Sequence, residues 1–363
     1  MSEANLLYTE LEDDLRSPVR DLLAERCRPA AVIAVADCDR SLVGPLWAAL
    51  GGDLGLAGLL VPEEFGGAGA SAREAAVVLE ELGRAVAPVP FLTSSVVATT
   101  ALVASGDELL GDLAAGRTTA ALAVPFSLAP GGALPGVTER DDRLTGSVRS
   151  VAGAIDADVL LVAVPRTEGT AALYAVSASD AGIRPVTSLD MTRQVADVAF
   201  DATPARLVQE DAAAAVAGAL DAGAALLASE QLGVAQWCLE TTVAYLKVRR
   251  QFGRVVGGFQ ALKHRLANLY TDLELAASAA RYAAATLADD DPDAAVAASV
   301  AQSFVSDVAV RAAEEAVQLH GGMGMTWEHP THLFLKRAKA DQIGLGTPGA
   351  HRARLADLVD VPL

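Results

Sequence analysis

The chain changes texture twice along its length, and that ordering constrains its fold more than any single motif. Up to about Leu113 apolar residues recur at helical spacing, as near Leu11 to Arg26, in AREAAVVLEELGRAV from Ala72 and in SSVVATTALVAS from Ser94. Between the first two, GLLVPEEFGGAGAS breaks the pattern with Pro62, Gly66, Gly67 and Gly69. From Thr118 to about Thr203 short β-type runs take over: ALAVPF, RLTGSVRSV, DVLLVAVP, AALYAVSA and QVADVAFDA, parted by Gly, Pro and Asp. After Pro204 helical spacing returns in segments 206–248 and 257–288. DDDPDA, from Asp289, then interrupts it and offers acidic N-cap chemistry to a helix over 294–320. Helices, then strands, then helices is an α+β order, not an alternation of β/α units. It predicts an N-terminal helical domain (1–115), a middle β domain (116–204) and a C-terminal helical bundle (205–363).

Composition excludes several classes of function. Hydrophobic residues make up 52% of the 363, with charged residues at 20%. The mean hydropathy of +0.32 comes mostly from Ala and Val, and no bilayer-length apolar run lacks a charged or polar interruption. The start, MSEANLLYTELEDDLRS, has no basic region followed by an apolar core, so no signal peptide is expected. Cys27, Cys38 and Cys238 lack metal-ligand spacing and read as buried free thiols of a cytoplasmic protein. A net charge of −18 opposes nucleic-acid binding, which needs concentrated Lys and Arg.

Two stretches carry chemistry: RRQFGRVVGGFQALKH from Arg249, and QLHGGMGMTWEHP from Gln318. With GLLVPEEFGG followed by EELGR, and LDMTRQVADVAFD from Leu189, they make four elements in an order that resembles the acyl-CoA dehydrogenases over essentially the whole chain. The resemblance implies a β-barrel or sandwich for the middle domain, a four-helix bundle for the C-terminal domain, FAD as cofactor and an acyl-CoA thioester as substrate. It implies that Arg249 pairs with the FAD pyrophosphate, a role suited to a bidentate guanidinium. Phe252 would pack on the cofactor and Gln260 would bond near the diphosphate. Gln318, Gly321 and Gly322 would line the adenosine half, where a backbone without Cβ can come close. In the family these groups reach the FAD of a neighbouring subunit.

The same resemblance exposes three losses. The family's T-E-P-G-A-G-S-D-like turn, which contacts the flavin pyrimidine, corresponds here to LAVPFSLAPG, with Val124 for the acid and only Pro125 kept. The G-x-K-x-W-I-T-N element corresponds to GSVRSVAGA, with Ser150, Ala152 and Gly153 in place of Trp, Thr and Asn. The catalytic glutamate has two family positions, which fall here on Leu345 and Gly223. Asp341, one helical turn before Leu345, and Glu230, two turns after Gly223, are weak substitutes that read first as solvated or paired surface acids. His320 belongs to the glycine turn, while His264, His329, His332 and His351 read as helix-surface or interface groups.

A chain that keeps the clamp for a neighbour's FAD and loses its own ring pocket and base resembles the non-base subunit of the two-chain (α2β2) actinobacterial steroid-CoA dehydrogenases. That implies a second, base-bearing dehydrogenase subunit and a separate electron-transfer acceptor. The alternatives are a self-sufficient homo-oligomer using Asp341 or Glu230, and an FAD-free scaffold subunit.

Overall fold

A computed structural model describes residues 6–166 and 169–360; residues 1–5 of the start discussed above lie outside it. Eleven α-helices and ten strands are described. Helices α1 (Glu10–Arg26), α2 (Pro29–Ala36), α3 (Val43–Trp47), α4 (Ala72–Ala85), α5 (Thr99–Val103) and α6 (Leu109–Ala114) precede the strands. Strands follow as β1 (Ala120–Leu122), β2 (Thr138–Arg140), β3 (Arg143–Ala152), β4 (Val159–Pro165), β5 (Ala171–Ser177), β6 (Gly182–Val186), β7 (Val195–Pro204) and β8 (Arg206–Gln209). Helix α7 (Ala213–Val248) leads into a small hairpin of β9 (Arg250–Gln251) and β10 (Arg254–Val255). Helices α8 (Gln260–Ala288), α9 (Ala294–His320), α10 (Thr331–Ile343) and α11 (Pro348–Leu358) complete the chain.

Local chemistry fixes the helix starts. Thr9 and Glu12 form a reciprocal capping box on α1, and Ser71 with Glu74 forms another on α4. The acidic run before α9 acts differently from expectation. Asp293 occupies the N-cap without a side-chain cap bond, and Asp291 Oδ1 instead accepts from its N–H at 2.8 Å. The segment expected as helix from 206 is also corrected. Residues 206–209 pair with β5, and the helix begins at Ala213.

The strands form two four-stranded sheets, ordered β1-β4-β5-β8 and β2-β3-β7-β6. Strands β4 and β5 are buried on both faces, and their alternation divides them between two cores. Leu160, Val162, Tyr174 and Val176 face β3 and β7 residues such as Val148 and Val198, whereas Leu161, Ala163, Leu173 and Ala175 pack into the helical core. That second set seats the β domain on the helices.

Helix α7 is the axis of the molecule. It is long and apolar enough to span a bilayer by composition alone, yet 67% of its most apolar window is buried by neighbouring elements, as in a core helix. Its crossing with α4 is unusually close. A Cβ on Gly83 would lie 2.0 Å from the Glu230 carbonyl oxygen, and one on Gly233 would lie 1.9 Å from that of Glu80. Two glycines therefore set the depth at which Glu230 sits.

Candidate functional site

The two chemistry-bearing stretches meet at one end of the helical bundle. Helix α7 stops at Arg249, and β9 and β10 follow, joined by Phe252 and Gly253. Both of these residues have positive φ (51° and 74°), as a two-residue hairpin with the strands' own twist requires. Phe252 thus stands at a tip, 90% exposed. Phe259 meets it edge-on, with centroids 6.2 Å apart, and the Arg254 guanidinium lies 3.8 Å from the Phe259 ring centre. Gln260 opens α8 immediately afterwards.

The second stretch is tied to the first by stacking. Tyr245, one turn before Arg249, stacks on His320 at 4.6 Å, and Arg265 pairs with Glu315 at 2.7 Å between α8 and α9. Gly321 then caps α9 with φ 62° and ψ −137°, a conformation open essentially to glycine alone. A Cβ at Gly321 or Gly322 would meet nothing within 4 Å. Arg249, Phe252, Gln260, Gln318, Gly321 and Gly322 are all exposed. The chain thus exposes a cation, an aromatic ring, two amides and a bare backbone at the end of α7, the start of α8 and the end of α9. The chemistry of that donor set fits the ADP half of FAD.

The second locus is closed. Leu345 and Gly223, far apart in sequence, touch: a Cβ on Gly223 would lie 2.8 Å from Leu345 Cδ1 and 2.8 Å from Val97 Cγ2. Leu345 does not share a helical face with Asp341 as expected. Helix α10 ends at Ile343, and Leu345 has φ 53° beyond it. Its N–H donates to the Phe126 carbonyl at 2.6 Å, and its own carbonyl is bonded by His351 Nε2 at 2.8 Å. Phe126 N–H in turn donates to the Ser150 carbonyl at 2.9 Å.

The three altered stretches therefore hydrogen-bond to one another. The Phe126 ring lies over Gly344, where a Cβ would come within 2.5 Å of it. Between them remains an apolar recess of about 30 Å³, lined in part by Leu92, Val97, Val124 and Ala152. A three-ring flavin does not fit there. His351, expected near the surface, is fully buried as the peg behind this turn.

Beside the recess lies a buried ionic cluster that corrects the reading of Asp341 and Glu230 as surface acids. Both are 1% exposed or less. Arg337 donates from Nε to Asp190 at 2.6 Å, from Nη1 to Glu230 at 2.5 Å and from Nη2 to Thr192 at 2.8 Å. Arg193 bonds the other Glu230 oxygen at 2.5 Å and also reaches Asp341 Oδ1. Two arginines and three carboxyls make an unequal count, and the geometry decides which carboxyl keeps a proton. Burial works against ionisation of Glu230, but Arg193 and Arg337 on either side outweigh it and hold the group below the usual range. Asp341 has one guanidinium on one oxygen, while its Oδ2 is buried with no partner among the described residues. Burial, with Glu230 nearby, pushes it up to about 8.

This has a measurable consequence. Between the ordinary aspartate value near 4 and about 8, folded Asp341 keeps a proton that the unfolded chain has released. Its contribution to stability is complete below that range and lost as pH rises through it. Asp341→Asn, which copies the protonated form, should flatten the fall in urea midpoint between pH 6 and pH 9. Parallel curves for parent and variant would place the proton elsewhere.

Sequence reasoning quoted Arg193 within LDMTRQ but missed its role, and it missed Arg337 altogether. Neither arginine stands out in the sequence, since Arg193 lies in LDMTRQVAD and Arg337 in LKRAKADQ, both rich in polar neighbours. Two of the three thiols are buried as expected, but Cys38 is exposed.

Residues 9–110 match the acyl-CoA dehydrogenase N-terminal domain and residues 213–359 match the acyl-CoA dehydrogenase C-terminal domain. The chain is 34% identical to acyl-CoA dehydrogenase IpdE2 of Mycolicibacterium smegmatis, over 96% of this chain and 98% of that one. Among solved structures, a chain of a variant of the Tcur3481-Tcur3483 steroid ACAD superposes with TM-score 0.86 at 30% identity, covering 97% of this chain and 98% of the other. The ChsE4-ChsE5 complex from Mycobacterium tuberculosis contains a chain at TM-score 0.89 and 25% identity, covering 99% and 100%.

Proposed function

The chain belongs to the acyl-CoA dehydrogenase family, and on that premise we propose that it is the FAD-clamping, non-base subunit of a two-chain enzyme. One observation carries this reading. The six residues expected to hold FAD are all exposed, whereas the positions of the ring contacts and of the base are bonded shut around Phe126 and Leu345. The partner is a second acyl-CoA dehydrogenase chain in an α2β2 assembly, a reading supported by likeness to the Tcur3481-Tcur3483 and ChsE4-ChsE5 structures, each of which pairs two named chains. A steroid-type or other bulky acyl-CoA as substrate, a cytoplasmic setting and a separate electron-transfer acceptor complete the proposal.

Bound FAD would supply the acceptor for the β-hydride of an acyl thioester. The residues of this chain do the holding. Arg249 neutralises the pyrophosphate with a planar pair of N–H donors. Phe252 covers the cofactor from the hairpin tip, and Gln260 and Gln318 add amide donors and acceptors. Gly321 and Gly322 let the α9 terminus approach the adenosine. The α-proton must leave to a carboxylate of the partner, because Leu345 and Gly223 carry no ionisable group. The self-sufficient alternative is weakened by the ionic cluster. Glu230 is bonded by two guanidiniums, and Asp341 is buried and already holds its proton.

The test is a visible spectrum. The chain purified alone is expected to be colourless, and to carry flavin only when co-produced with a base-bearing dehydrogenase partner. Yellow isolated protein that bleaches on adding acyl-CoA would establish the self-sufficient enzyme instead, and absence of flavin from every preparation would establish the scaffold. Leu345→Glu in the isolated chain is expected to give no turnover, since the recess beside it still excludes a ring. Measurable turnover would refute the closed-crevice argument.

A further inference from the structure

The largest cavity among those described, about 340 Å³, uses none of the residues assigned to FAD. It lies between the C-terminal end of α1, α2, the end of α4, α7 and the start of α10. Its floor is aromatic and aliphatic: Trp237 and Phe334 stack face to face at 3.5 Å and 2°, with Leu23, Val32 and Leu333 beside them. Its mouth is cationic, in a chain whose net charge is −18. Arg20, Arg28 and Arg84 stand there, with Glu81 as the one acid in the lining.

These charges are not equivalent. Glu81 is saturated, accepting from Arg16 Nη1 at 2.7 Å and from Arg20 Nε and Nη2 at 2.9 and 2.7 Å. Arg84 is committed to Gln236 at 2.9 Å and Glu240 at 2.5 Å. Arg28 is exposed and makes no ion pair among the described residues. The mouth therefore has one guanidinium to spare over an apolar floor. Cys27, also in the lining, is no nucleophile, since burial pushes its thiol up to about 12. A cavity of this size, mostly apolar with one oriented polar group, has the make-up of a small-molecule site.

We infer that this cavity binds a small hydrophobic carboxylate, its rings against Trp237 and Phe334 and its carboxylate on Arg28.

The test is calorimetric titration of the full-length chain with 2-naphthoate. Saturable binding of one equivalent is expected, weakened at least tenfold by Arg28→Glu and abolished by Ala24→Trp, which fills the mouth from an exposed position on α1. Both variants should keep the parent urea midpoint, which separates loss of binding from loss of folding. Three outcomes would overturn the inference: no saturable heat, unchanged affinity in either variant, or equal affinity for uncharged 2-naphthalenemethanol. None of them bears on FAD sharing, so this site and the proposed function stand or fall separately.

Discussion

Arg249→Ala is expected to strip flavin from the two-chain complex while leaving the chain folded and the complex assembled. Arg249 lies just past α7, exposed and without an ion pair among the described residues, so its removal costs the isolated chain little. In the complex its partner would be a buried pyrophosphate. Losing one side of such a charge-assisted, bidentate contact typically costs about 2–5 kcal/mol, which weakens cofactor binding roughly thirtyfold or more. The flavin-to-protein absorbance ratio of the purified complex should fall by about an order of magnitude at modest cofactor concentrations. Arg249→Lys should recover only part, because an ammonium keeps the charge and loses the planar fork. Full flavin content in Arg249→Ala, with the complex intact by size-exclusion chromatography, would remove Arg249 from the site.

Some of this site was legible in the sequence, and its physical character explains which part. The clamp is local. Arg249, Phe252 and Gln260 fall on one short stretch because a helix end, a two-residue hairpin and the next helix start follow directly on one another. Gln318 to Gly322 likewise span a single cap. The lack of an ionisable group at the two family positions of the base was also local, since it needed only the identities of Leu345 and Gly223. Mutual arrangement was not legible. That Leu345 fills the space beside Gly223, that Phe126 covers Gly344, and that Ser150 joins them through backbone bonds are all long-range facts. Composition misled on the acids. Glu230 and Asp341 read as surface groups because acids are seldom fully buried unless paired, and the pairing arginines lie far along the chain. In the fold, strand β8 was absorbed into the following helix because RLVQ is too short to show a period of its own.

The largest stability effect is expected from Arg337→Met. Arg337 is 1% exposed and bonds Asp190, Glu230 and Thr192 at once, joining α10 to α7 and to the turn before β7. Methionine roughly matches its volume, so the cavity cost is small and the electrostatic cost dominates. Two buried carboxylates would remain, Asp190 without a direct ion pair among the described residues and Glu230 with Arg193 alone. Breaking a buried pair from one side costs about 3–5 kcal/mol, a large part of a typical domain's stability. The urea midpoint at pH 7 should fall accordingly.

The pH dependence separates this electrostatic account from simple loss of packing. In the parent, arginine holds Asp190 and Glu230 below the usual carboxylate range despite burial, so their contribution is present at neutral pH and lost only in acid. Without Arg337, burial should raise both. The variant would then gain stability as pH falls from 8 to 5, more steeply than Asp341 alone makes the parent gain it. Adding Asp190→Asn and Glu230→Gln, which removes the unpaired charges, should return much of the lost midpoint and flatten the pH curve. A midpoint within about 1 kcal/mol of the parent, or a deficit that is constant with pH, would show that the cluster contributes shape and little charge.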